Sequence, residues 1–114
     1  MINAILYREN GLYTGYRSEG HSGYAEAGND IICAGISILE VTCVNAMESL
    51  LGIRVTPRVD EETGLMRFDL PKLEGEQASG AQLLMGALGQ GCSDLQETYP
   101  GYVTFEIKER RKSP

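Results

Sequence analysis

The stretch from Ile2 to Arg8 alternates imperfectly between apolar and polar positions but is rich in strand formers, which predicts a β-strand. Glu9-Asn10-Gly11 reads as a turn, because an Asn-Gly pair takes the positive φ that a tight hairpin needs. Leu12 to Arg17 then predicts the returning strand, with Leu12, Thr14 and Tyr16 on one face and Tyr13 and Gly15 on the other.

Residues 19–29 lose this alternation and carry Gly20, Gly23 and Gly28, so they read as a loop with the freedom to move. Asn29 or Asp30 is suited to cap the helix that the next apolar run predicts, from about Ile31 to Leu51, ending near Gly52. Ile31, Ile32, Ile36, Leu39, Val44, Met47, Leu50 and Leu51 place apolar residues on more than one of its faces. Such a helix is buried on several sides, for instance between a sheet and a second subunit. Ile53 to Val59 predicts a strand with Pro57 at an edge position, and Leu65 to Leu70 returns after the turn at 60–64. A second helix is expected from about Glu74 to Tyr99. Gly80, Gly86, Gly89 and Gly91 weaken it, so either it is interrupted or its glycines permit close packing. Tyr99-Pro100-Gly101 ends it, and Tyr102 to Lys108 predicts a last strand. The order ββαββαβ indicates a single α+β domain over 1–114, a mixed sheet layered with two main helices.

Composition narrows the setting. A chain of 114 residues with 42% hydrophobic and 23% charged residues is long enough for one modest core. A net charge of −6 argues against generic nucleic-acid binding and is compatible with a basic protein partner. The locally basic run Lys108-Glu109-Arg110-Arg111-Lys112 is expected to be a solvated tail over about 108–114. No stretch reads as a membrane span and the start lacks a signal-peptide pattern, so the expected location is the cytoplasm. Three cysteines, no CxxC and a single histidine argue against a disulfide framework and a structural zinc site; no metal or cofactor is expected.

The candidate chemistry lies where the loop meets the first helix. With Asp30 as N-cap, Cys33 falls in the first turn, and its own amide can bond the Asp30 carboxylate. Unpaired helix-start amides favour a thiolate there and could support an oxyanion, whereas the Asp30 charge itself disfavours a thiolate. The likelier benefit of Asp30 is to hold the helix start or orient an imidazolium. Ser37, one turn beyond Cys33, could bond Asp30 or bond back to a helix carbonyl. His21, the only histidine, could take the thiol proton and return it to a leaving amine. Cys43 and Cys92 read as small core residues.

The string GHSGYAEAGNDIICAGIS over 20–37 closely resembles the signature of the ribosomal-processing cysteine protease family, Prp, which reads approximately G-H-[AS]-x-[YF]-A-x-x-G-x-D-I-V-C-A-A-V-S. The likeness extends to the amino-terminal hairpin, the glycine-rich second helix and Tyr99-Pro100-Gly101-Tyr102. It implies a bacterial cytoplasmic endopeptidase that removes an N-terminal extension from large-subunit ribosomal protein twenty-seven. It also implies a homodimer with a mobile loop over the site. The family's histidine falls on His21 and its nucleophile on Cys33, with Asp30, Ser37 and Gly20 on matching supporting positions. Ile32, Gly35 and Ile36 depart from the pattern without removing a reactive group; Gly35 lowers helix propensity in the active-site turn. The family's aromatic residue before the cut implies an apolar pocket beside Cys33, with Tyr24 a candidate lining residue. Two other readings compete: a ribosome-assembly or peptide-binding module without catalysis, and a thiol redox sensor pairing Cys33 with Cys43 or Cys92.

Overall fold

The computed structural model describes residues 1–26 and 30–110. They form β1 (Ile2–Glu9), β2 (Leu12–Glu19), α1 (Ile31–Leu51), β3 (Arg58–Asp60), β4 (Leu65–Asp69), α2 (Gly75–Thr98) and β5 (Val103–Glu109). This is the expected ββαββαβ order. The strands make one mixed sheet in the order β3-β4-β2-β1-β5, in which β1 and β5 run parallel and every other pair antiparallel. Ile2, Ala4 and Leu6 of β1 are buried while Asn3 is exposed, the signature of a sheet covered by helices on one face.

Asn10 (φ 52°) and Gly11 (φ 80°) turn the first hairpin as their chemistry predicts. The alternation expected on β2 is broken. Tyr7 pairs with Gly15 and Arg8 with Tyr13, leaving Thr14 as the extra residue of a bulge. Leu12 is therefore exposed while Tyr16 is buried, and the Tyr13 ring lies against Gly86. Gln82 of α2 secures the distorted strand by accepting from the Tyr13 amide at 2.7 Å and donating to its carbonyl at 2.8 Å.

Two expected boundaries are corrected, and the alternative left open for the second helix is decided. The strand over 53–59 shrinks to Arg58–Asp60: Ile53 is buried with its amide bonded to Met47 O at 3.0 Å, and Pro57 has no amide for a ladder. The second helix is continuous. A Cβ on Gly80 would come within 2.6 Å of Leu51, on Gly91 within 2.8 Å of Leu39, and on Gly89 within 2.9 Å of Leu6. Close packing thus offsets a propensity cost of about 1 kcal/mol per glycine. Lys108 and Glu109, placed in the expected tail, belong to β5, and the rest of that tail, 111–114, lies outside the described residues. Arg110 is anchored at 2.9 Å to Asp69, with its guanidinium 3.9 Å from the Tyr7 ring centre.

α1 also corrects an expectation, since by length and composition it matches a membrane span. In the fold it packs through Ile32, Ile36, Cys43 and Met47 into the core shared with α2 and the sheet. Gly52 (φ 70°) ends it, donating to Glu48 O at 2.9 Å.

Candidate active site

Asp30 is the N-cap of α1, and its Oδ1 accepts from the amides of Ile32 and Cys33, each at 3.0 Å. Its other oxygen accepts from the hydroxyl of Ser22. Burial works against ionisation of this carboxyl, but hydrogen bonds from Ser22, Cys33 and Ile32 prevail and hold it below the ordinary aspartate range.

Ser22, buried and without an assigned role in the sequence reading, ties the loop to the helix. Besides bonding Asp30, its hydroxyl accepts from Tyr24 N at 3.1 Å, and its own amide donates to Cys33 Sγ at 3.5 Å. An amide pointing at sulfur favours negative charge there. The Asp30 bond considered for Ser37 is thus made by Ser22, while Ser37 lines the neighbouring cavity. The signal for Ser22 was its place in the motif, directly after His21.

Gly20 positions the histidine. Its φ of 102° suits glycine alone, and a Cβ there would lie 2.2 Å from Met1 O. Gly20 N donates to Thr63 O at 3.0 Å, and the amino terminus donates to His21 O at 2.5 Å. The His21 ring is exposed, and its Nε2 lies 3.2 Å from Glu62 O. A carbonyl only accepts, so Nε2 carries the proton and Nδ1 is the basic nitrogen of the neutral ring. Among the described residues, no hydrogen bond joins His21 to Cys33 in this conformation.

His21 and Cys33 nevertheless share the wall of one cavity of about 610 Å³ between α1 and the β3–β4 hairpin. Ile36, Val41, Val44, Val55 and Met66 supply much of its apolar wall. Tyr24, the candidate lining residue, is turned elsewhere: its ring meets Tyr102 edge-on at 5.3 Å and Tyr99 at 6.0 Å, and it is absent from this wall. Residues 27–29, the end of the expected mobile loop, lie outside the described residues.

Glu40 is the second functional candidate that sequence reasoning missed. It sits on the buried side of α1, only 5% exposed, and lines the cavity. Its Oε2 accepts from Tyr16 Oη at 2.6 Å and from the Ser18 hydroxyl. Burial raises its pKa, and those two hydroxyl bonds only partly oppose the shift. The available signal was an acidic residue one turn after Ile36, in register with the buried stripe.

Cys43 and Cys92 are buried, as expected, with burial pushing each thiol up to about 11. The three cysteines are free. Among the described residues, no group of three or more His, Cys, Asp and Glu gathers as a metal-ligand set. The arrangement is suited to nucleophilic chemistry at Cys33 on a chain lying along the cavity.

A family model described as cysteine protease Prp matches residues 1–104. A Bacillus subtilis protein named ribosomal processing cysteine protease Prp is 29% identical over 87% of this chain and 90% of its own. A Staphylococcus aureus protein of the same name is 25% identical over 91% and 95%. The crystal structure of a Streptococcus mutans protein superposes with a TM-score of 0.84 at 35% identity, covering 96% of each chain. A Staphylococcus aureus Prp in complex with a covalently linked product peptide gives a TM-score of 0.84 at 25% identity, over 95% of this chain and all of that one.

Proposed function

Since the chain belongs to the Prp family of ribosomal processing cysteine proteases, we propose that His21 and Cys33 form its catalytic dyad and that its substrate is the N-terminal extension of large-subunit ribosomal protein twenty-seven. The observation that carries this reading is the seat of Cys33: first turn of α1, capped by Asp30, with the Ser22 amide on its sulfur and His21 on the same cavity wall.

His21 takes the thiol proton on its basic ring nitrogen once the ring has turned toward Cys33. The thiolate attacks the scissile carbonyl, forming a tetrahedral oxyanion at the start of α1. Collapse breaks the C–N bond, and the imidazolium gives its proton to the leaving amine. Water, deprotonated by His21, then hydrolyses the thioester and restores the thiol. Asp30 and Ser22 act as positioning residues. Bringing Nδ1 to Cys33 requires the ring to leave the orientation seen here, a rearrangement that substrate binding can supply. Glu48, Asp60 and Glu61 on the cavity wall suit a basic ribosomal substrate. This reading places the enzyme in the cytoplasm, where ribosomal proteins are made.

Mass-resolved cleavage of the extended ribosomal protein from the same organism tests the proposal. Wild type should make one cut. Cys33→Ala should abolish it, and His21→Ala should slow it by about 10²–10⁴-fold. Full activity of His21→Ala would remove the dyad, and an uncut extended substrate would remove the assignment of substrate.

We also propose a homodimer, supported by Ile38 and Leu50, which α1 leaves exposed. Light scattering should give twice the chain mass, reduced to one by Ile38→Glu. A monomeric wild type at working concentration would reject it.

A further inference from the structure

Glu40 is a buried carboxylate without a cation. The four ion pairs among the described residues do not include it, although a glutamate is almost never fully buried unless paired. Both of its hydrogen bonds fall on one oxygen: Tyr16 Oη and the Ser18 hydroxyl each donate to Oε2. Oε1 receives no hydrogen bond from the described residues, yet no buried side-chain oxygen is left without a partner. Glu40 is 5% exposed and lines the cavity, so that cavity is the place where a ligand could meet its carboxylate. The two hydroxyls hold the carboxylate by Oε2 and leave Oε1 without a donor among the described residues.

The surrounding charges favour a cation. Glu48, Asp60 and Glu61 line the same cavity, and among the described residues no Lys or Arg does. Apolar walls from Ile36, Val41 and Val44 suit the aliphatic stem of a long basic side chain whose head reaches a polar group. Positions 33 and 40 lie two turns apart on nearly one face of α1, about 10.5 Å along the axis. An extended peptide rises about 3.3 Å per residue, so that distance corresponds to about three residues of substrate.

We propose that Glu40 is a specificity-determining residue, whose Oε1 receives a lysine or arginine side chain of the substrate within about three residues of the scissile bond. The inference rests on the reading of this cavity as the substrate cleft. It assigns a buried polar anchor to a cavity walled by both apolar and acidic residues. A hydrogen-bonded charge at such a point discriminates far better than a methylene in an apolar wall.

The test uses peptides with an aromatic residue before the cut and either lysine or norleucine at one neighbouring position at a time. Norleucine keeps the stem and removes the ammonium. For each pair, kcat/KM is measured with wild type and Glu40→Gln, and Kd with the Cys33→Ala and Cys33→Ala/Glu40→Gln proteins. At one position wild type should favour lysine by about tenfold or more, a preference that Glu40→Gln reduces to near one. The ratio is taken within each enzyme, so partial misfolding of a variant cancels. A wild-type ratio near one at every position, or a preference that survives Glu40→Gln, would overturn the inference. Cleavage without lysine preference removes this inference and leaves the protease reading intact. Lysine-selective, Glu40-dependent binding without cleavage does the reverse, and neither binding nor cleavage removes both.

Discussion

The two ends of the cysteine inventory are held by opposite physics. Cys33 sits in the first turn of α1, half-buried, with a backbone amide at its sulfur and a carboxylate at its own amide. Cys92 sits in the C-terminal third of α2, fully buried, its sulfur 3.7 Å from Tyr16 Oη and its thiol pushed up to about 11. Cys43, deep in α1, shares the second condition. One residue type is thus a candidate nucleophile at a helix start and an inert packing unit in a helix interior. The difference lies in donors and access, not in the thiol. The surrounding backbone differs in the same sense. Around Cys33, polar groups are placed one by one by Ser22 and Asp30. Around Cys92, Gly89 and Gly91 let α2 pack closely on Leu6 and Leu39, and the Tyr16 hydroxyl is the polar group beside the sulfur.

Exchanging which cysteine is lost gives the largest contrast. Cys33→Ala should cost at least about a thousandfold in kcat/KM with little change in melting temperature. Cys92→Ala should leave specific activity of the folded fraction near wild type while costing about 1–2 kcal/mol in denaturant unfolding. Equal losses of activity in both would dissolve the distinction. The same contrast is readable by alkylation and mass spectrometry of the native protein: Cys33 should label first, and Cys43 and Cys92 only on unfolding.

Next in size is Gly20→Ala, which forces a side chain into a left-handed position already filled by Met1 O. A destabilisation of about 2–4 kcal/mol is expected, with activity lost because His21 is displaced. Unfolding curves that coincide with wild type would show that the strand end can move.

A smaller effect sharpens the polar side of the comparison. Asp30→Ala removes the cap and should cost about 1 kcal/mol of stability near neutral pH. The folded-state pKa of Asp30 is lowered, so its contribution is fully present above the unfolded value, near 3.8. It is lost as pH falls through the lower folded value, where wild type and variant should converge. A stability difference that persists unchanged in stronger acid would place the effect in helix propensity rather than in the charge.

Local chemistry alone determined a good part of this protein. The Asn10-Gly11 turn, a cap at Asn29 or Asp30 and the Gly52 stop follow from backbone preferences within a few residues, and the structure puts the cap at Asp30. The motif over 20–37 likewise marked His21 and Cys33 before any coordinates, because residues close in sequence build most of that corner. Only the tertiary structure decided the rest. Whether α2 breaks at its glycines depends on Leu6, Leu39 and Leu51, which reach them from other elements. Arg110 is held by Asp69 and Tyr7, residues far from it in the chain. Tyr24 turns to Tyr99 and Tyr102, and Glu40 acquires its meaning from Tyr16 and Ser18 of a strand that only folding brings beneath it. Propensity and capping act over one turn of chain, whereas packing and the satisfaction of a buried charge depend on partners whose distance in sequence carries no trace of their distance in space.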